Sequence, residues 1–411
     1  MTTASWLDLP ADSLFGIHNL PYGVFTTPDD PRPRIGVAVG EQVLNVAAVA
    51  NTVGVDPELT DLLDATTLNP LLGAGRPVWT QVRALLTEWL TDPAFRSAVE
   101  PELTPRQDVS LHLPFQVGDY VDFYASEHHA ANLGRLFRPG SEPLTPNWKH
   151  LPIGYHGRSG TVVVSGTPVV RPQGQRKAPA DAVPNFGPSR RLDIEAEVGF
   201  VVGAPTELGD SVPLDGFADH VFGVCLVNDW SARDIQAWEY VPLGPFLGKS
   251  FATSVSPWVV PLEALRQARV APPARDVEPL PYLDDRDAKE PWGLDLSLEV
   301  RLNGTVVSRP PFAAMYWTAA QQLTHMTVNG ASVRPGDLFA SGTVSGPDRG
   351  TEGALIELTW NGERPVALPD GTTRSFLEDG DEVTITATAP GPDGSVIGFG
   401  EVSGRVLPAR G

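Results

Sequence analysis

The sequence is poor in cysteine and lysine. Its one cysteine, Cys225, excludes an intramolecular disulfide and any metal site built from several cysteines. Cys225 lies in the apolar run 221–227, where a small buried hydrophobic residue is the expected role. The four lysines are Lys149, Lys177, Lys249 and Lys289. With so few lysines, each position calls for an explanation.

Long apolar runs and several common motifs are also missing. No window holds the roughly 18 consecutive apolar residues that a membrane helix needs. Residues 1–13 lack the basic start and apolar stretch of a signal peptide. The sequence has no HExxH, GxGxxG or GxSxG motif, and Gly244 and Gly248 stand one position too close for a phosphate-binding loop at Lys249. These absences predict a soluble, cytoplasmic protein.

Positive charge is scarce throughout the chain. The formal net charge is −20 and the sequence pI is about 4.7. Such a field repels nucleic acid and anionic membranes, so we expect neither as a partner. An anionic small molecule is still compatible with this charge, because a local group of Arg and Lys side chains can reverse the field inside a pocket.

The length and the turn-forming residues predict a β-rich protein of two domains. A chain of 411 residues exceeds what one core usually supports, and we place the domains at 1–112 and 113–411. Forty glycines and 41 prolines favour many turns over a helical bundle. The predicted N-terminal elements are strands at 22–25, 34–39 and 43–46, a helix at 78–90 after Pro77, and a linker at 91–107. This domain has no cluster of carboxylates or histidines, so its expected role is structural.

The second domain reads as a mixed β-roll or barrel with peripheral helices. Its β-branched or alternating segments predict strands at 161–164, 192–202, 221–227, 296–302, 354–360 and 383–388. Helices are expected at 230–239 and 314–326. The charged, proline-rich stretch 276–291 is expected to be an exposed loop.

The segment 192–198 alternates acidic and apolar residues. In a strand, Asp193, Glu195 and Glu197 would share one face, because side chains alternate. The commoner explanation is an ordinary strand whose acidic face meets solvent. The alternative is a site for a hard cation, because carboxylate oxygens bind Ca²⁺ or Mg²⁺.

The segment 228–240 predicts a helix with one unusual stripe. Helical spacing would place Asp229, Arg233, Gln236 and Tyr240 on one face, with Asp229 as the N-cap. A surface helix with a capping Asp would explain this pattern. A stripe of an acid, a guanidinium, an amide and a phenol would also suit a binding site.

Two further segments carry reactive side chains. Asp122 could supply another carboxylate, and of the adjacent His128 and His129 at most one should share its site, because neighbouring side chains point apart. A lone histidine is more often a satisfied structural residue than a base. Lys249 lies in the apolar, glycine-punctuated segment 244–253, which is an unusual setting for a lysine that serves only solubility.

Taken together, these segments resemble the fumarylacetoacetate hydrolase family, in its full-length two-domain form. The resemblance runs essentially from end to end. It is carried by ordered blocks at residues 18–25, 122–124, 146–148, 152–158, 192–197, 228–236, 248–251 and 341–347. The first block matters most, because shorter members of the family share the catalytic half and lack the N-terminal domain.

The resemblance implies an N-terminal SH3-like small barrel, a C-terminal mixed β-roll and a homodimer. It also implies that four carboxylates bind a catalytic Ca²⁺ or Mg²⁺: Asp122, Glu195, Glu197 and Asp229. Backbone oxygens near Lys249 and Thr253, with Asp229, would hold a second, structural Mg²⁺. Ala252 stands where some members of the family have glycine.

The same resemblance assigns catalytic roles. His129 would be the general base and Glu357 the carboxylate that orients it, while Arg233, Gln236 and Lys249 would surround the oxyanion. The implied substrate contacts are Tyr124, Arg138, Gln236, Tyr240 and Thr343.

The implied activity is hydrolysis of the carbon–carbon bond of 4-fumarylacetoacetate, a small diketo acid of tyrosine and phenylalanine breakdown, to fumarate and acetoacetate. Acylpyruvate hydrolysis, decarboxylation and hydration at the same metal site are related alternatives. A non-catalytic metal-binding structural protein is an alternative of a different class.

Overall fold

The N-terminal strands form one antiparallel sheet in the order β4-β3-β2-β1-β5. The computed structural model describes residues 5–10 and 12–411, so part of the segment examined for a signal peptide (1–4 and 11) lies outside the described residues. The strands are β1 (Tyr22–Thr27), β2 (Asp30–Val39), β3 (Gln42–Asn45), β4 (Leu103–Pro105) and β5 (Ser110–His112). The three predicted strands are confirmed: β1 and β2 are longer than predicted, and β3 lies one residue earlier, because Val46 begins a helix.

The predicted linker at 91–107 is wrong. Its residues form short helical turns and then β4, which pairs with β3 as an edge strand of the sheet. Three residues of β4 hold too little pattern for sequence periodicity to detect, and only the pairing partner makes them a strand.

Five helices pack around this sheet. They are α1 (Val46–Val53), α2 (Pro57–Leu63), α3 (Asn69–Gly73), α4 (Arg76–Thr91) and α5 (Arg96–Val99). The predicted helix is confirmed as α4, which has Pro77 in its first turn. Its apolar stripe is buried, including Val82, Leu86 and Trp89.

The second domain is built around two larger sheets. An eight-stranded sheet follows the order β7-β6-β22-β13-β14-β16-β8, with β17 also paired to β14, and a five-stranded sheet follows β21-β20-β25-β26-β9. The strands of the domain are β6 (Tyr120–Phe123), β7 (Gly154–His156), β8 (Val162–Val164), β9 (Val169–Val170), β10 (Gln173–Arg176), β11 (Asn185–Pro188), β12 (Leu192–Asp193), β13 (Ala196–Val202), β14 (Val221–Asp229), β15 (Ser231–Ala232), β16 (Thr253–Val255), β17 (Val260–Pro261), β18 (Arg269–Val270), β19 (Gly293–Leu294), β20 (Ser297–Leu302), β21 (Thr305–Ser308), β22 (Leu338–Ala340), β23 (Val366–Ala367), β24 (Thr373–Arg374), β25 (Glu382–Pro390) and β26 (Val396–Leu407).

Helices lie between and around these strands. They are α6 (Glu127–Phe137), α7 (Phe217–His220), α8 (Arg233–Glu239), α9 (Ala319–Thr327) and α10 (Leu355–Leu358). Short 3₁₀ turns occur at Pro93–Phe95, Glu100–Glu102, Arg106–Asp108, Ser159–Thr161, Leu214–Gly216, Leu262–Ala268, Pro281–Leu283, Phe312–Ala314 and Pro392–Gly394. The predicted fold class, mostly β with peripheral helices and a small N-terminal barrel before a mixed β-roll, is confirmed. No helix in the described residues is both long and apolar enough to cross a membrane.

Several predicted elements of this domain need correction. The strand expected at 354–360 is wrong, because helix α10 occupies residues 355–358. The helix expected from residue 230 begins at Arg233, since residues 231–232 pair with β12 instead. The helix expected from residue 314 begins at Ala319, where Thr318 and Gln321 form a capping box. The strand expected at 192–202 is interrupted at 194–195.

One hydrophobic cluster spans the two domains. Tyr22 and Trp79 of the N-terminal domain both pack edge-on against Phe222 of β14, with ring centroids 5.2 and 5.4 Å apart. The same cluster continues through Cys225 and Val227 of β14. The division at residues 112 and 113 stays a prediction, but the two parts are not independent in packing.

Phe222→Ala tests this shared cluster. Deleting a buried aromatic ring typically costs about 3–5 kcal/mol, and the loss falls on both domains at once. We therefore expect urea unfolding, followed by circular dichroism and by tryptophan fluorescence, to shift to lower urea in one coincident transition. Phe186→Ala, at an exposed ring of β11, is the matched control and should leave the midpoint unchanged. Separate transitions for the two probes would show that the domains unfold independently.

Candidate active site

Four carboxylates meet at one end of the eight-stranded sheet. Ligand oxygens of Asp122, Glu195, Glu197 and Asp229 all lie within 4.8 Å of one another, and all four residues are buried. Asp122 comes from β6, Glu195 from the residue just before β13, Glu197 from the start of β13, and Asp229 from the end of β14. The solvent-facing explanation of the acidic segment is therefore wrong, because Glu197 has no exposed surface.

The pairing of strands brings these residues together. Strand β22 lies between β6 and β13 and is opposite Asp122 at Ala340. Strand β14 pairs with β13 on the other side and places Val227 opposite Glu197. Residues far apart in sequence thus converge through register, which local sequence patterns do not reveal.

Burial and mutual repulsion disfavour negative charge on two of the four carboxylates. Burial, followed by the charge of Asp229, raises the pKa of Asp122 well above its ordinary value. Burial, followed by the charge of Asp122, likewise raises the pKa of Glu197 well above its ordinary value. One oxygen of Asp122 and both oxygens of Glu197 accept no hydrogen bond from the described residues. Buried oxygens with unused lone pairs, all of carboxylate type, fit a hard divalent cation.

Two buried cations approach the same cluster. Lys249 Nζ contacts a Glu195 oxygen and lies 2.7 Å from Asp229 Oδ2. Arg233 Nη2 lies 2.7 Å from Glu195 Oε1. Burial favours the neutral form of Glu195, but Lys249 and then Arg233 outweigh it and hold the pKa of Glu195 below its ordinary value.

Asp193 does not join the four carboxylates. The break at residues 194–195 separates it from the strand that carries Glu197, so the predicted common face of three acids is wrong. Asp193 instead accepts hydrogen bonds from the backbone N–H groups of Leu355 and Ile356 and from Arg233 Nε, at 2.7–3.0 Å. It thereby caps helix α10 and holds the guanidinium of Arg233.

A buried His–Glu pair faces the cluster. His129 Nδ1 lies 2.6 Å from Glu357 Oε2, and His129 Nε2 lies 3.7 Å from Glu195 Oε1. The Ser126 hydroxyl accepts from the His129 backbone N–H, which fixes His129 in the first turn of α6. His128 is only half-buried. Of the two adjacent histidines, the structure therefore brings His129 to the site.

The remaining predicted contacts line one cavity of about 410 Å³ in front of these groups. The lining includes Tyr124, Arg138, Arg233, Gln236, Tyr240 and Thr343, together with Lys249 and two of the four carboxylates, Asp122 and Glu195. Thr343 Oγ1 is buried and has no hydrogen-bond partner among the described residues. Arg138 Nη2 donates to the Pro143 carbonyl at 3.0 Å. The cavity has the size and mixed lining of a small-molecule site.

The helical stripe predicted at 228–240 needs correction. Asp229 is the last residue of β14 and is not the N-cap of α8. Arg233 and Gln236 do share one face of α8, and Arg233 Nη1 donates to Gln236 Oε1 at 3.2 Å. Asp229 reaches the same site from the end of a strand. The prediction that these residues share a site is therefore correct for Asp229, but the helical position predicted for it is wrong.

Thr253 lies beside Asp229. It pairs with Asp229 between β16 and β14, and its hydroxyl donates to Asp229 Oδ1 at 3.3 Å. This neighbourhood is where the resemblance placed a second Mg²⁺.

Sequence reasoning missed three polar residues of the site. Tyr155 lies opposite Asp122 in the β6–β7 pair and donates to Asp229 Oδ2 at 3.1 Å. Asn132 and Ser345 both donate to Glu357. Ser345 and Tyr155 fall inside blocks that carry the resemblance, but only the tertiary structure shows what their side chains contact.

The chain is similar to known proteins along nearly its whole length. The sequence model described as Fumarylacetoacetate (FAA) hydrolase C-terminal matches residues 120–407, and that described as Fumarylacetoacetase N-terminal matches residues 18–114. The chain is 48% identical to fumarylacetoacetase of Homo sapiens over 418 residues, covering 98% of this chain and 99% of that protein. It is 45% identical to fumarylacetoacetase of Arabidopsis thaliana, covering 98% of each.

The fold also matches solved structures at low sequence identity. A fumarylacetoacetate hydrolase from psychrophilic Exiguobacterium antarcticum superposes with a TM-score of 0.54 at 18% identity, covering 95% of this chain and all of that one. This likeness supports the fold alone.

The carboxylate cluster generates a prediction about cation binding. Ca²⁺ or Mg²⁺ at about 100 times its Kd should stabilise the folded protein by about 2.7 kcal/mol, seen as a higher thermal unfolding temperature. Because the pKa values of Asp122 and Glu197 are raised, binding should also release protons, measured by calorimetry in two buffers of different ionisation enthalpy. Glu197→Gln should lose most of both effects.

Glu401→Gln, at an exposed residue of β26, is the matched control and should behave as the parent protein. Equal cation stabilisation of the parent and of Glu197→Gln would contradict the assignment of the cluster as the binding site.

Proposed function

Because the chain belongs to the fumarylacetoacetate hydrolase family and is a hydrolase acting on carbon–carbon bonds, we propose that it cleaves 4-fumarylacetoacetate to fumarate and acetoacetate. One observation carries the proposal. The buried His129–Glu357 pair points a free imidazole nitrogen at the carboxylate cluster inside a cavity of small-molecule size. A base beside a cation site is what attack of water on a diketone requires.

The residues supply a complete reaction. His129, with Nδ1 donating to Glu357, removes a proton from water at Nε2, and the water oxygen bonds to the carbonyl carbon next to the scissile bond. The carbon–carbon bond then breaks, its electron pair leaves with the acetoacetate carbon, and that carbon takes up the proton that His129 removed from water. A divalent cation, when bound, supplies Lewis-acid and orienting chemistry for the diketone oxygens.

The charged groups beside the base suit the oxyanion. Arg233 and Gln236 line the cavity, and the Arg233 guanidinium donates a hydrogen bond to Gln236. The Lys249 ammonium lines the same cavity and forms ion pairs with Glu195 and Asp229. Burial opposes charge on Lys249, but Asp229 and then Glu195 outweigh it and raise the pKa of Lys249 above its ordinary value. Fixed positive charge in a site with little water strongly stabilises a developing oxyanion.

The outer part of the cavity suits the rest of the substrate. Arg138 lies on the wall with Tyr124, Tyr240 and Thr343, so a guanidinium and three hydroxyls are available to a carboxylate and a keto oxygen. The free hydroxyl of Thr343 supports a role as a ligand contact, since buried polar groups usually have a partner.

We further propose Ca²⁺ or Mg²⁺ for Asp122, Glu195, Glu197 and Asp229, and a second Mg²⁺ near Lys249 and Thr253. The all-oxygen donor set supports the first. The pairing of Thr253 with Asp229 supports the second.

A cytoplasmic homodimer completes the proposal. Exposed apolar side chains recur within residues 238–247, and one of them, Leu243, also lines the cavity. An exposed apolar surface is the kind that a subunit interface covers.

Incubation with 4-fumarylacetoacetate tests the function directly. We expect fumarate and acetoacetate in equal amounts, identified by chromatography against standards, and loss of turnover after chelation with recovery on adding Ca²⁺ or Mg²⁺. Acylpyruvates, oxaloacetate and a hydratable diketo acid serve as comparison substrates. Turnover of one of these without cleavage of 4-fumarylacetoacetate would replace the proposal with the corresponding related activity.

His129→Ala and His128→Ala separate the base from its neighbour. Loss of a general base typically lowers the rate by about 10²–10⁴, so we expect a fall of that size in kcat for His129→Ala. The half-buried His128 contacts neither Glu357 nor Glu195, so kcat of His128→Ala should stay near that of the parent. Equal losses in the two variants would show that His129 is not the base.

A further inference from the structure

The carboxylate of Glu357 is held at both oxygens. It is buried on helix α10, and Oε2 accepts from His129 Nδ1 at 2.6 Å and from Ser345 Oγ at 3.0 Å. Oε1 accepts from Asn132 Nδ2 at 3.0 Å. Orientation by His129 alone would leave this carboxylate free to rotate about its last side-chain bonds, whereas three donors fix it.

Asn132 reaches Glu357 from the helix that carries His129. The two residues are three positions apart on α6, so their side chains lie on one face. The Asn132 carbonyl oxygen accepts from Arg135 Nη1 at 3.2 Å, which leaves the amide nitrogen for Glu357. The hydrogen-bond network thus assigns the orientation of this amide.

Ser345 ties both helices to one loop. Its hydroxyl donates to Glu357 and accepts from the Gly353 backbone N–H at 3.1 Å. Its carbonyl accepts from the hydroxyl of Ser126, the N-cap of α6, at 3.2 Å. The positions of His129 and Glu357 therefore depend on the same residue.

We propose that Asn132 and Ser345 are positioning residues that hold Glu357 in the rotamer that accepts from His129 Nδ1. With Nδ1–H committed to Glu357, the Nε2 lone pair faces the carboxylate cluster, where the water lies in the proposed reaction. The inference rests on the proposed function for its kinetic part. Neither Asn132 nor Ser345 lines the cavity, so each would act through Glu357.

Asn132→Leu is the main test, because Leu keeps the number and branching of the side-chain heavy atoms while removing the amide, and the half-buried position can accept the larger methyl groups. Loss of a hydrogen bond to a charged group predicts a fall in kcat of about tenfold or more, with KM within about twofold of the parent. His128→Leu, a polar-to-Leu change at a half-buried position of the same helix, should leave both constants near the parent values. Ser345→Ala should resemble Asn132→Leu in kcat.

A double-mutant cycle separates positioning from general damage. In a Glu357→Ala background, Asn132→Leu should lower kcat no further, because the carboxylate it positions is absent. A further fall of the same size in that background would overturn the proposal, as would kcat of Asn132→Leu equal to that of the parent. If Asn132→Leu does not fold by circular dichroism, Asn132→Ala carries the same cycle.

A readout without substrate keeps this inference separate from the proposed function. The short His129–Glu357 hydrogen bond should give a far-downfield proton resonance in protein labelled with ¹⁵N-histidine, absent in Glu357→Ala. In Asn132→Leu the resonance should shift or broaden, and in His128→Leu it should remain. If the parent does not cleave 4-fumarylacetoacetate but Asn132→Leu moves this resonance, the proposed function fails and the positioning stands. An unmoved resonance in Asn132→Leu overturns the positioning.

Discussion

The structure depends on keeping several carboxylates buried at the end of one sheet. Asp122, Glu195, Glu197 and Asp229 have almost no exposed surface, and only Lys249 and Arg233 approach them as cations among the described residues. Removing one partner of such a buried group leaves an uncompensated charge, which is strongly destabilising. The surrounding fold therefore has to hold the cations and strand ends in place, and an added divalent cation would complete the charge balance.

Asp193 links this charged centre to the catalytic pair. Its carboxylate holds Arg233 on one side and the first N–H groups of helix α10 on the other. Helix α10 carries Glu357 two residues after the first of these N–H groups, and Arg233 contacts Glu195. A single buried side chain thus connects the His–Glu pair with the cation that neighbours the cluster. This also explains the break after β12, because a continuous strand would have turned Asp193 to the face of Glu197.

Elements with a strong local pattern could be predicted from the sequence, and those defined by a distant partner could not. The apolar run 221–227 predicts strand β14, and the amphipathic stripe of residues 78–90 predicts helix α4, without reference to any other part of the chain. Helix α10 looks like a strand by composition, and its start is set by Asp193, 162 residues away from Leu355. The four carboxylates lie in separate segments of the sequence. Local patterns do not connect these segments, and only the family resemblance predicts that they form one site. Asn132 lies outside the blocks that carried the resemblance, and its partner Glu357 is 225 residues away.

The N-terminal domain has a physical role in the site although none of its described residues lines the cavity. Residues directly opposite each other in paired strands share a face of the sheet. By register, Asp122 shares a face with Ala340, and Glu197 shares a face with Val227.

Ala340 and Val227 belong to the hydrophobic cluster formed with the N-terminal domain. The apolar packing of that domain therefore continues along the same sheet face up to the carboxylates and excludes water from one side of them. Lower water access strengthens each electrostatic interaction in the cluster. The N-terminal domain thus contributes to the dielectric environment of the site, in addition to packing against the sheet.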